Sequence, residues 1–265
     1  MIDLHLHLLP GIDDGAQSLD VSRSMIQRAR EAGFEVLVTT PHLDGPLSQD
    51  YRARVAAAWT EVAPIAAAAG IQVAQGYEIQ LTPDLPYRLD SGEPSTIAGG
   101  RTVLVELPFI GWPNFTEQVL FDLQASGYRP LLAHPERYRE AQHDVDRLVR
   151  LAERGVALQV TFGSLAGLLG KRVQEIAEEL LRRDAATVLA TDAHSAGQRL
   201  ETVDKGLARA RALVGSARLR QLVSDNPRAL LRDEPLPAAT ASAPEDVETD
   251  GWRSSIRWLV RRRRD

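Results

Sequence analysis

The sequence predicts an α/β protein whose parallel strands close into a (β/α)7 barrel. Apolar, β-rich runs alternate with amphipathic helical stretches, a pattern typical of parallel sheets, and about seven such units favour closure into a barrel. Almost every predicted strand also ends in a histidine or a carboxylate, as expected when one end of a barrel carries a functional site. With 265 residues and 44% hydrophobic content, the chain is long enough to bury such a core.

Seven runs have the length and apolar content of strands. They are residues 2–7, 35–40, 71–75, 102–106, 130–134, 156–160 and 187–191. Helical periodicity predicts helices at 19–32, 50–69, 114–126, 144–154 and 168–183, and a last helix after Arg199. Asn114 and Glu117 have the spacing of a capping box, which predicts that the third helix begins there.

The first strand carries two histidines two residues apart. Side chains alternate along a strand, so His5 and His7 would lie on the same face of the strand at 2–7. A Pro-Gly pair then ends the strand, and Asp13 and Asp14 place two carboxylates close to its end. Binding of a metal ion is the simplest chemistry for this arrangement, although a lone pair of strand histidines is more often incidental.

The other predicted strands repeat this pattern, since six of the seven end in a histidine or an acid. With Asp14 from the first loop, the set is His5, His7, Asp14, His42, Glu78, Glu106, His134, Asp192 and His194. Any one of them alone would most simply be a solvated polar residue. In a parallel barrel, however, the carboxyl ends of the strands share one mouth, and these side chains should meet there. Only His143 among the histidines falls outside the set, and we expect it on the surface.

Nine ligand-type groups are too many for one ion, so the sequence predicts two or three divalent metal ions that share a bridging carboxylate. Cys is absent, which excludes disulfides, iron–sulfur clusters, thiolate zinc sites and a cysteine nucleophile. Nitrogen and oxygen ligands without sulfur suit manganese, iron or zinc. Clustered divalent metals commonly hydrolyse phosphate esters, because they activate a water molecule and neutralise the phosphoryl oxygens.

Two arginines lie beside these ligands and are candidates for binding a phosphate. Arg137 comes shortly after His134, and Arg199 comes shortly after Asp192. A guanidinium binds a phosphate through two parallel hydrogen bonds. The chain has 31 Lys and Arg in total, so an ordinary surface position is the alternative for both.

Taken together, the motifs of this chain resemble those of a known family. They are DLHLHLLPGIDDGA, TTPH, GYEIQL, VLVELP, LLAHPERY, FGSLAGLLG, ATDAHS and DNPRALL. The set is similar to the polymerase-and-histidinol-phosphatase superfamily, and within it to the bacterial metal-dependent protein-tyrosine phosphatases that act on capsule and exopolysaccharide tyrosine kinases. The resemblance extends from Met1 to about Leu231. It implies a distorted (β/α)7 barrel with a metal site at the carboxyl ends of the strands.

The resemblance also implies how the ligands are divided among three ions. The first ion would take His5, His7, Glu78 and Asp192, the second would share Glu78 with Glu106 and His134, and the third would take Asp14, His42 and His194. Manganese is the expected metal, with iron or zinc as alternatives. Two departures from the family pattern concern the rim of the site. Leu200 follows Arg199 where relatives often have Pro, and the LDGP segment after His42 lacks further His or aromatic residues.

These inferences predict hydrolysis of phosphotyrosine by direct attack of an activated water on phosphorus, without a phosphoenzyme. Arg137 and Arg199 would orient the phosphate. Asp13 and Glu136 are the candidates for the general acid, with a structural role as the alternative for each. A tyrosine phenolate, whose pKa is about 10, leaves more readily than an alkoxide. The aromatic loop at 108–115 either supplies a wall for the phenyl ring or packs as an ordinary long loop.

The composition changes after the predicted phosphatase domain at 1–232. Residues 233–250 are rich in Pro, Ala, Thr and acids and are predicted to form a disordered linker. Residues 251–265 carry six Arg and one acid, a charge of +5, whereas the rest of the chain carries −10 for a net charge of −5. As a helix, this basic tail would have an apolar face with Trp252 and Ile256, suited to anionic lipid or an acidic partner. A solvated basic tail is the equal alternative.

Location and partners follow from these features. No apolar run approaches the roughly 18 residues of a membrane span, and the N-terminus lacks the pattern of a signal peptide. We therefore expect a cytoplasmic protein with peripheral contact at the inner face of the membrane through 251–265. The expected partner is a phosphotyrosine protein, namely a membrane-bound bacterial tyrosine kinase. The acidic body argues against a nucleic-acid partner.

Three alternative functions remain. A small-molecule phosphatase of the histidinol-phosphate type would use the same metal core. A nuclease-like phosphoesterase is less compatible with the acidic body of the chain. A non-catalytic, metal-bound interaction module would recruit partners through its tail. The complete ligand set and the two arginines favour an enzyme.

Overall fold

Nine short parallel strands lie at the centre of the described chain. The computed structural model describes residues 1–238 and 240. The strands in this part of the chain are β1 (Ile2–Leu6), β2 (Val36–Thr39), β3 (His42–Leu43), β4 (Gln72–Gln75), β5 (Glu78–Gln80), β6 (Thr102–Glu106), β7 (Arg129–Ala133), β8 (Ala157–Thr161) and β9 (Val188–Ala190). All seven predicted strands are present, and each begins and ends within one residue of its predicted bounds.

The strands form two sheets, in the orders β1-β2-β4 and β3-β5-β6-β7-β8-β9. β3 continues the path of β2, and β5 continues that of β4, so the nine strands occupy seven positions. Pro41 lies at the first break and has no N–H to continue the ladder, but the Glu78 N–H still donates to the Pro41 carbonyl at 3.2 Å. At the other edge, the end of β1 meets the loop after β9 through an isolated bridge between Leu6 and Ala193. The predicted barrel is therefore present in distorted form, without one continuous closed ladder among residues 1–238 and 240.

Helices surround these strands. Those of the described chain are α1 (Leu19–Glu31), α2 (Gln49–Ala68), α3 (Leu85–Asp90), α4 (Thr116–Ala125), α5 (Arg139–His143), α6 (Val145–Glu153), α7 (Phe162–Leu165), α8 (Lys171–Arg182), α9 (Gln198–Glu201), α10 (Val203–Arg220) and α11 (Asn226–Leu231). α1 shows why they form: the Ser18 side chain caps its first turn, and Met25 and Ile26 are buried on one face. None of the helices described has the length and hydropathy that a membrane crossing requires.

Two predicted helix starts are wrong. α4 begins at Thr116, and no side-chain cap is made at Phe115, so the predicted capping box is absent. Glu117 instead accepts a hydrogen bond from Arg147 at 2.7 Å, which removes it from the cap. The helix predicted from residue 168 begins at Lys171, because Gly170 has a φ of 96° that a helix does not tolerate. β3 and β5 were not predicted, since two or three residues carry too little periodicity.

A register shift in β1 brings apolar and histidine side chains to the same interior. β1 pairs with β2 in one register at Asp3 and in another at Leu6. Leu4 packs in the smaller apolar cluster between the strands, and His5 reaches Gln159 of β8 at 2.9 Å. In a regular strand, neighbouring residues such as Leu4 and His5 face opposite sides of the sheet. The register shift acts as a bulge, so both side chains face the interior. The histidines therefore lie next to a layer of apolar side chains, the apolar floor. This floor consists of Ile2, Leu4, Val38, Ile97, Leu104, Leu131, Ala133, Ala157, Val188 and Leu230.

Candidate metal centre

The carboxyl ends of the strands bring the nine predicted ligands together at one mouth. Eight of them form three overlapping groups, and within each group the potential ligand atoms lie within 4.8 Å of one another. The groups are His5, His7, Glu78 and Asp192; His7, Asp14, His42 and His194; and His42, Glu78 and Glu106. His134 adjoins them through Glu78. His143, the remaining histidine, is exposed, as expected.

The first group is buried and contains the four residues that the resemblance implies for the first ion. His5 Nε2 lies 3.0 Å from Glu78 Oε2 and 3.4 Å from Asp192 Oδ1. His7 Nε2 lies 3.2 Å and 3.5 Å from the same two oxygens. Two imidazole nitrogens and two carboxylate oxygens therefore converge on one point, and this donor set suits a divalent transition metal.

The second group lies nearer the solvent. His42 Nε2 is 3.4 Å from Asp14 Oδ1, and His194 Nε2 is 3.3 Å from the same oxygen. The Asp14 side chain is 70% exposed, so this group forms the rim of the cluster. It contains the three residues implied for the third ion, and His7 joins them as a residue shared with the first group.

The third group differs from the implied second site. His42 Nδ1 lies 3.2 Å from Glu78 Oε2 and 3.3 Å from Glu106 Oε1. His134, which the resemblance places with these two glutamates, hydrogen-bonds the other oxygen of Glu78 through Nε2 at 2.8 Å. His134 therefore lies beside Glu78, and His42 lies between the two glutamates.

The chemistry of these atoms fits bound metal. Glu78 Oε2 lies close to three imidazoles, yet in the described chain it and His42 Nδ1 are buried without a hydrogen bond. Unsatisfied buried polar atoms are rare, and a bound ion is one of their ordinary explanations. Burial raises the pKa of Glu78, but His5 and His134 outweigh it and hold that pKa well below its usual range. The carboxylate is therefore ionised, as a bridging ligand must be.

Two polar side chains orient the first histidines. His5 Nδ1 lies 2.9 Å from Gln159 Oε1, and His7 Nδ1 lies 2.7 Å from Asp13 Oδ2. When Nδ1 carries the proton and donates to oxygen, Nε2 keeps its lone pair. Such contacts fix the tautomer and the ring orientation of a metal-binding histidine. Both rings therefore present Nε2 to Glu78 and Asp192.

Asp13, one of the two candidates for the general acid, makes three contacts within the site. Its carboxylate accepts hydrogen bonds from the backbone N–H groups of Gly15 at 3.0 Å and His42 at 3.0 Å, besides the contact with His7. Burial raises the pKa of Asp13, but these contacts outweigh it and lower that pKa to about 2. These contacts occupy both oxygens of Asp13 and favour its ionised form, which suits the structural alternative for this residue.

Replacing Asp13 by Ala is expected to weaken metal binding about 10- to 100-fold, the usual range for a residue that orients a ligand. Asp13→Asn keeps an acceptor oxygen towards His7 Nδ1 and should weaken binding less. Titration of the metal-stripped variants with manganese measures the effect, with Asp20→Asn, an exposed aspartate of α1, as the control. Unchanged affinity in Asp13→Ala would show that His7 needs no such support.

Arg137 and Arg199 both contact the ligand cluster. Arg137 Nη1 lies 2.6 Å from Asp192 Oδ2, and Arg199 Nη1 lies 2.8 Å from the same oxygen. Arg199 also contacts the His194 ring, with Nη1 2.6 Å from Nδ1. Both guanidinium groups are partly exposed, so they are available to an anion that enters the mouth.

Glu136, the other predicted candidate for the general acid, is bound elsewhere. Its Oε1 accepts hydrogen bonds from the Thr161 N–H at 2.9 Å and from the Ser164 hydroxyl at 2.7 Å. The side chain is fully buried against the end of β8. Glu136 therefore fastens the turn that carries Arg137.

Three residues that shape the site were not found from the sequence. Gln159 belongs to the one predicted strand without a terminal His or acid, and a polar residue within that apolar run was the available signal. Asp3 joins β1 to the β9 loop by accepting from the Thr191 hydroxyl at 2.6 Å. Gly15 lets the aspartate loop pack on His7, because a Cβ at this position would lie 2.3 Å from the His7 Cβ.

Two ligands adopt a backbone conformation that favours glycine. His134 has a φ of 33° and Asp192 a φ of 50°. Such strain in non-glycine residues costs on the order of 1–3 kcal/mol and clusters at functional sites. At both positions it turns the chain sharply at the end of a strand, where the side chain faces the cluster.

The fold and the cluster together define an α/β protein with a candidate multinuclear metal centre. A family model described as capsular polysaccharide synthesis, CpsB/CapC, matches residues 1–232. The chain belongs to this family, which confirms the resemblance seen in the motifs.

Named relatives agree with this assignment. The chain is 32% identical to the tyrosine-protein phosphatase YwqE of Bacillus subtilis, over 88% of this chain and 92% of the relative. It is 26% identical to the tyrosine-protein phosphatase CpsB of Streptococcus pneumoniae, over 88% of this chain and 99% of the relative. A solved structure from the work on YwqE and CpsB, described there as unique metal-dependent tyrosine phosphatases, superposes with a TM-score of 0.82 at 31% identity, covering 94% of this chain and all of the other.

Proposed function

We propose that this protein is a metal-dependent protein-tyrosine phosphatase. The proposal rests mainly on three overlapping groups of potential metal ligands, in which Glu78 and His7 each belong to two groups. Two guanidinium groups, those of Arg137 and Arg199, contact Asp192 at the edge of these groups. The named relatives support the tyrosine specificity. We further propose that the substrate is a membrane-bound bacterial tyrosine kinase of capsule or exopolysaccharide synthesis, because the chain belongs to the capsule-synthesis family.

The side chains of this chain would divide the work as follows. The nine predicted ligands would hold two or three divalent ions, most simply manganese with iron or zinc as alternatives, and such ions activate water and neutralise phosphoryl charge when bound. Arg137 and Arg199 would bind the phosphate oxygens by parallel N–H donors. Asp13 and Gln159 hold the histidine rings in place.

The contacts made by the two candidate acids favour an aryl phosphate over an alkyl phosphate as the substrate. Asp13 accepts from the His42 N–H and contacts His7, and Glu136 accepts from Thr161 and Ser164, so neither carboxyl group is directed at the mouth by a free pair of oxygens. An alkoxide needs protonation as it leaves, because its conjugate acid is very weak. A tyrosine phenolate, whose pKa is about 10, needs much less. We therefore propose that phosphotyrosine, whose leaving group needs less proton donation, is preferred to a phosphorylated alcohol.

Parallel turnover assays test the proposal against its rivals. The manganese-loaded protein is given a phosphotyrosyl peptide, histidinol phosphate and a single-stranded oligonucleotide at equal concentrations. The proposal predicts that the peptide has the highest kcat/KM. Preference for histidinol phosphate would identify a small-molecule phosphatase, and turnover of the oligonucleotide alone would identify a nuclease. Turnover of none, with metal confirmed in the protein, would identify a non-catalytic interaction module.

The start of the predicted linker lies against the barrel. Asp233 Oδ1 accepts from the Arg101 N–H at 2.7 Å, and Arg129 donates to the Glu234 carbonyl at 2.5 Å. Arg101 precedes β6 and Arg129 begins β7, so this contact is at the amino ends of the strands, opposite the metal mouth. Residues 241–265, which include the predicted basic tail, lie outside the described residues.

We propose that the tail holds the protein at the inner face of the membrane, where a membrane-bound kinase would be at high local concentration. The tail carries a charge of +5, whereas the rest of the chain carries −10. Any electrostatic attraction to anionic lipid would therefore come from the tail. Deletion of 251–265 should abolish co-sedimentation with vesicles containing phosphatidylserine and leave hydrolysis of a free phosphotyrosyl peptide unchanged. Full binding by the truncated protein would contradict this role.

A further inference from the structure

Two apolar side chains are exposed at the mouth, on the loop that follows β6. Phe109 is 43% exposed and Ile110 is 71% exposed. Scattered apolar residues are normal on a surface, but the Phe109 ring lies against the predicted phosphate-binding group. Its centroid is 4.6 Å from the guanidinium carbon of Arg137. The ring also stacks on His134, with 5.6 Å between centroids and 29° between planes.

The backbone around Phe109 is fixed by hydrogen bonds. The Phe109 carbonyl accepts from the Arg139 N–H at 3.0 Å, and the Gly111 N–H donates to Glu140 at 2.8 Å. Just before the ring, the Leu107 N–H donates to the Tyr138 hydroxyl at 3.0 Å. The ring is therefore presented at a defined place beside the candidate metal ligands, in contact with Arg137 and His134, and the residue is 43% exposed.

We propose that Phe109 selects aromatic phosphate esters by stacking on the phenyl ring of the substrate, an inference that rests on the proposed function. A phosphate held by Arg137 brings its ester group within reach of the adjoining ring. Offset or edge-to-face aromatic pairs stabilise a complex beyond the area they bury, whereas a small alkyl group gains little from the same surface. Ile110 extends the apolar surface on the solvent side.

The other cleft beside the ligands is less suited to this ring. It has a volume of about 590 Å³, and its lining includes the carboxylates of Asp14, Asp44 and Glu106. Asp14 and Glu106 belong to the ligand groups, so this side of the mouth offers charged side chains rather than an aromatic face to the ring. The single aromatic side chain in this lining, Tyr51, directs its hydroxyl to the His42 carbonyl at 2.6 Å. The geometry therefore assigns the phenyl ring to the Phe109 side.

Binding of two phosphonates tests the proposal without any need for turnover. Calorimetry on the manganese-loaded protein measures the Kd of benzylphosphonate, which carries a ring, and of methylphosphonate, which does not. In Phe109→Ala, the Kd of benzylphosphonate should rise about tenfold while that of methylphosphonate stays the same. Phe109→Tyr, which keeps a ring, should retain wild-type affinity for both. Phe121→Ala is the matched control, because Phe121 is a 63% exposed phenylalanine on α4.

Each contrary result overturns the proposal in a recognisable way. An equal rise in both Kd values would show that Phe109 supports Arg137 rather than the substrate ring. Unchanged Kd values for both ligands, or wild-type protein that binds neither, would show that no ring is bound there. Failure of the proposed function looks different, since wild-type protein would then bind benzylphosphonate in a Phe109-dependent manner and hydrolyse no phosphotyrosyl peptide.

Discussion

Glu78→Gln is expected to lower kcat/KM for a phosphotyrosyl peptide by about 10³-fold, the upper range for removal of one preorganised charged group. Glu78 Oε2 lies 3.0 Å from His5 and 3.2 Å from both His7 and His42, so it takes part in two of the three ligand groups. Glutamine has nearly the same shape but replaces one oxygen by a hydrogen-bond donor. The NH₂ group of the glutamine would donate to an imidazole nitrogen that otherwise faces the metal. Because that nitrogen would no longer be free to bind, at least one ion should be lost.

The metal content by mass spectrometry and the kcat/KM are measured on the same preparation. Glu61→Gln, an exposed glutamate of α2, is the control for the loss of one negative charge. Circular dichroism should show that Glu78→Gln is folded, since the substituted side chain still fills the same buried space. A variant with full metal content and near-normal turnover would exclude Glu78 as a shared ligand.

Arg137→Lys is expected to lower kcat/KM by about 10²-fold even though the positive charge is kept. Arg137 contacts Asp192 at 2.6 Å and the Phe109 ring at 4.6 Å, which fixes the plane of its guanidinium. Lysine offers a point charge in place of two parallel donors, so it neither grips two phosphate oxygens nor stacks flat on the ring. The metal content should stay at the wild-type value, because Arg137 supplies no ligand.

Steady-state kinetics and inhibition by inorganic phosphate measure this effect. The Ki of phosphate should rise together with the loss in kcat/KM, since both depend on the same guanidinium. Arg23→Lys on the exposed face of α1 is the matched control. If Arg137→Lys lost metal instead, or if the Ki of phosphate did not move, Arg137 would be a structural partner of Asp192 alone.

The fold and the membership of the site were predictable from the sequence because both depend on strand ends. In a parallel barrel every strand delivers its last residues to the same mouth, so His5, Glu106 and Asp192 were expected together despite their separation in the chain. The bounds of the strands were predicted accurately because each apolar run is short and clearly delimited.

The arrangement within the site was not predictable, because it depends on side-chain geometry. The sequence placed Asp13 and Asp14 side by side without indicating which one faces the imidazole Nδ1 of His7. The contacts of His42 with Glu106 and of His134 with Glu78 depend on the direction of the rings. The bulge in β1 has no sequence mark at all. Gln159 was passed over because a neutral amide does not resemble a catalytic or metal-binding residue.

The metal dependence of phosphotyrosine hydrolysis decides whether this site is a metal-dependent phosphatase centre. The protein is stripped of metal, assayed with a phosphotyrosyl peptide before and after addition of manganese, and compared with His5→Ala treated in the same way. We expect no turnover in the stripped protein, turnover on addition of manganese, and little recovery in His5→Ala, whose Nε2 faces Glu78 and Asp192. Absence of turnover with manganese, iron or zinc, despite confirmed occupancy of the site, would contradict this expectation.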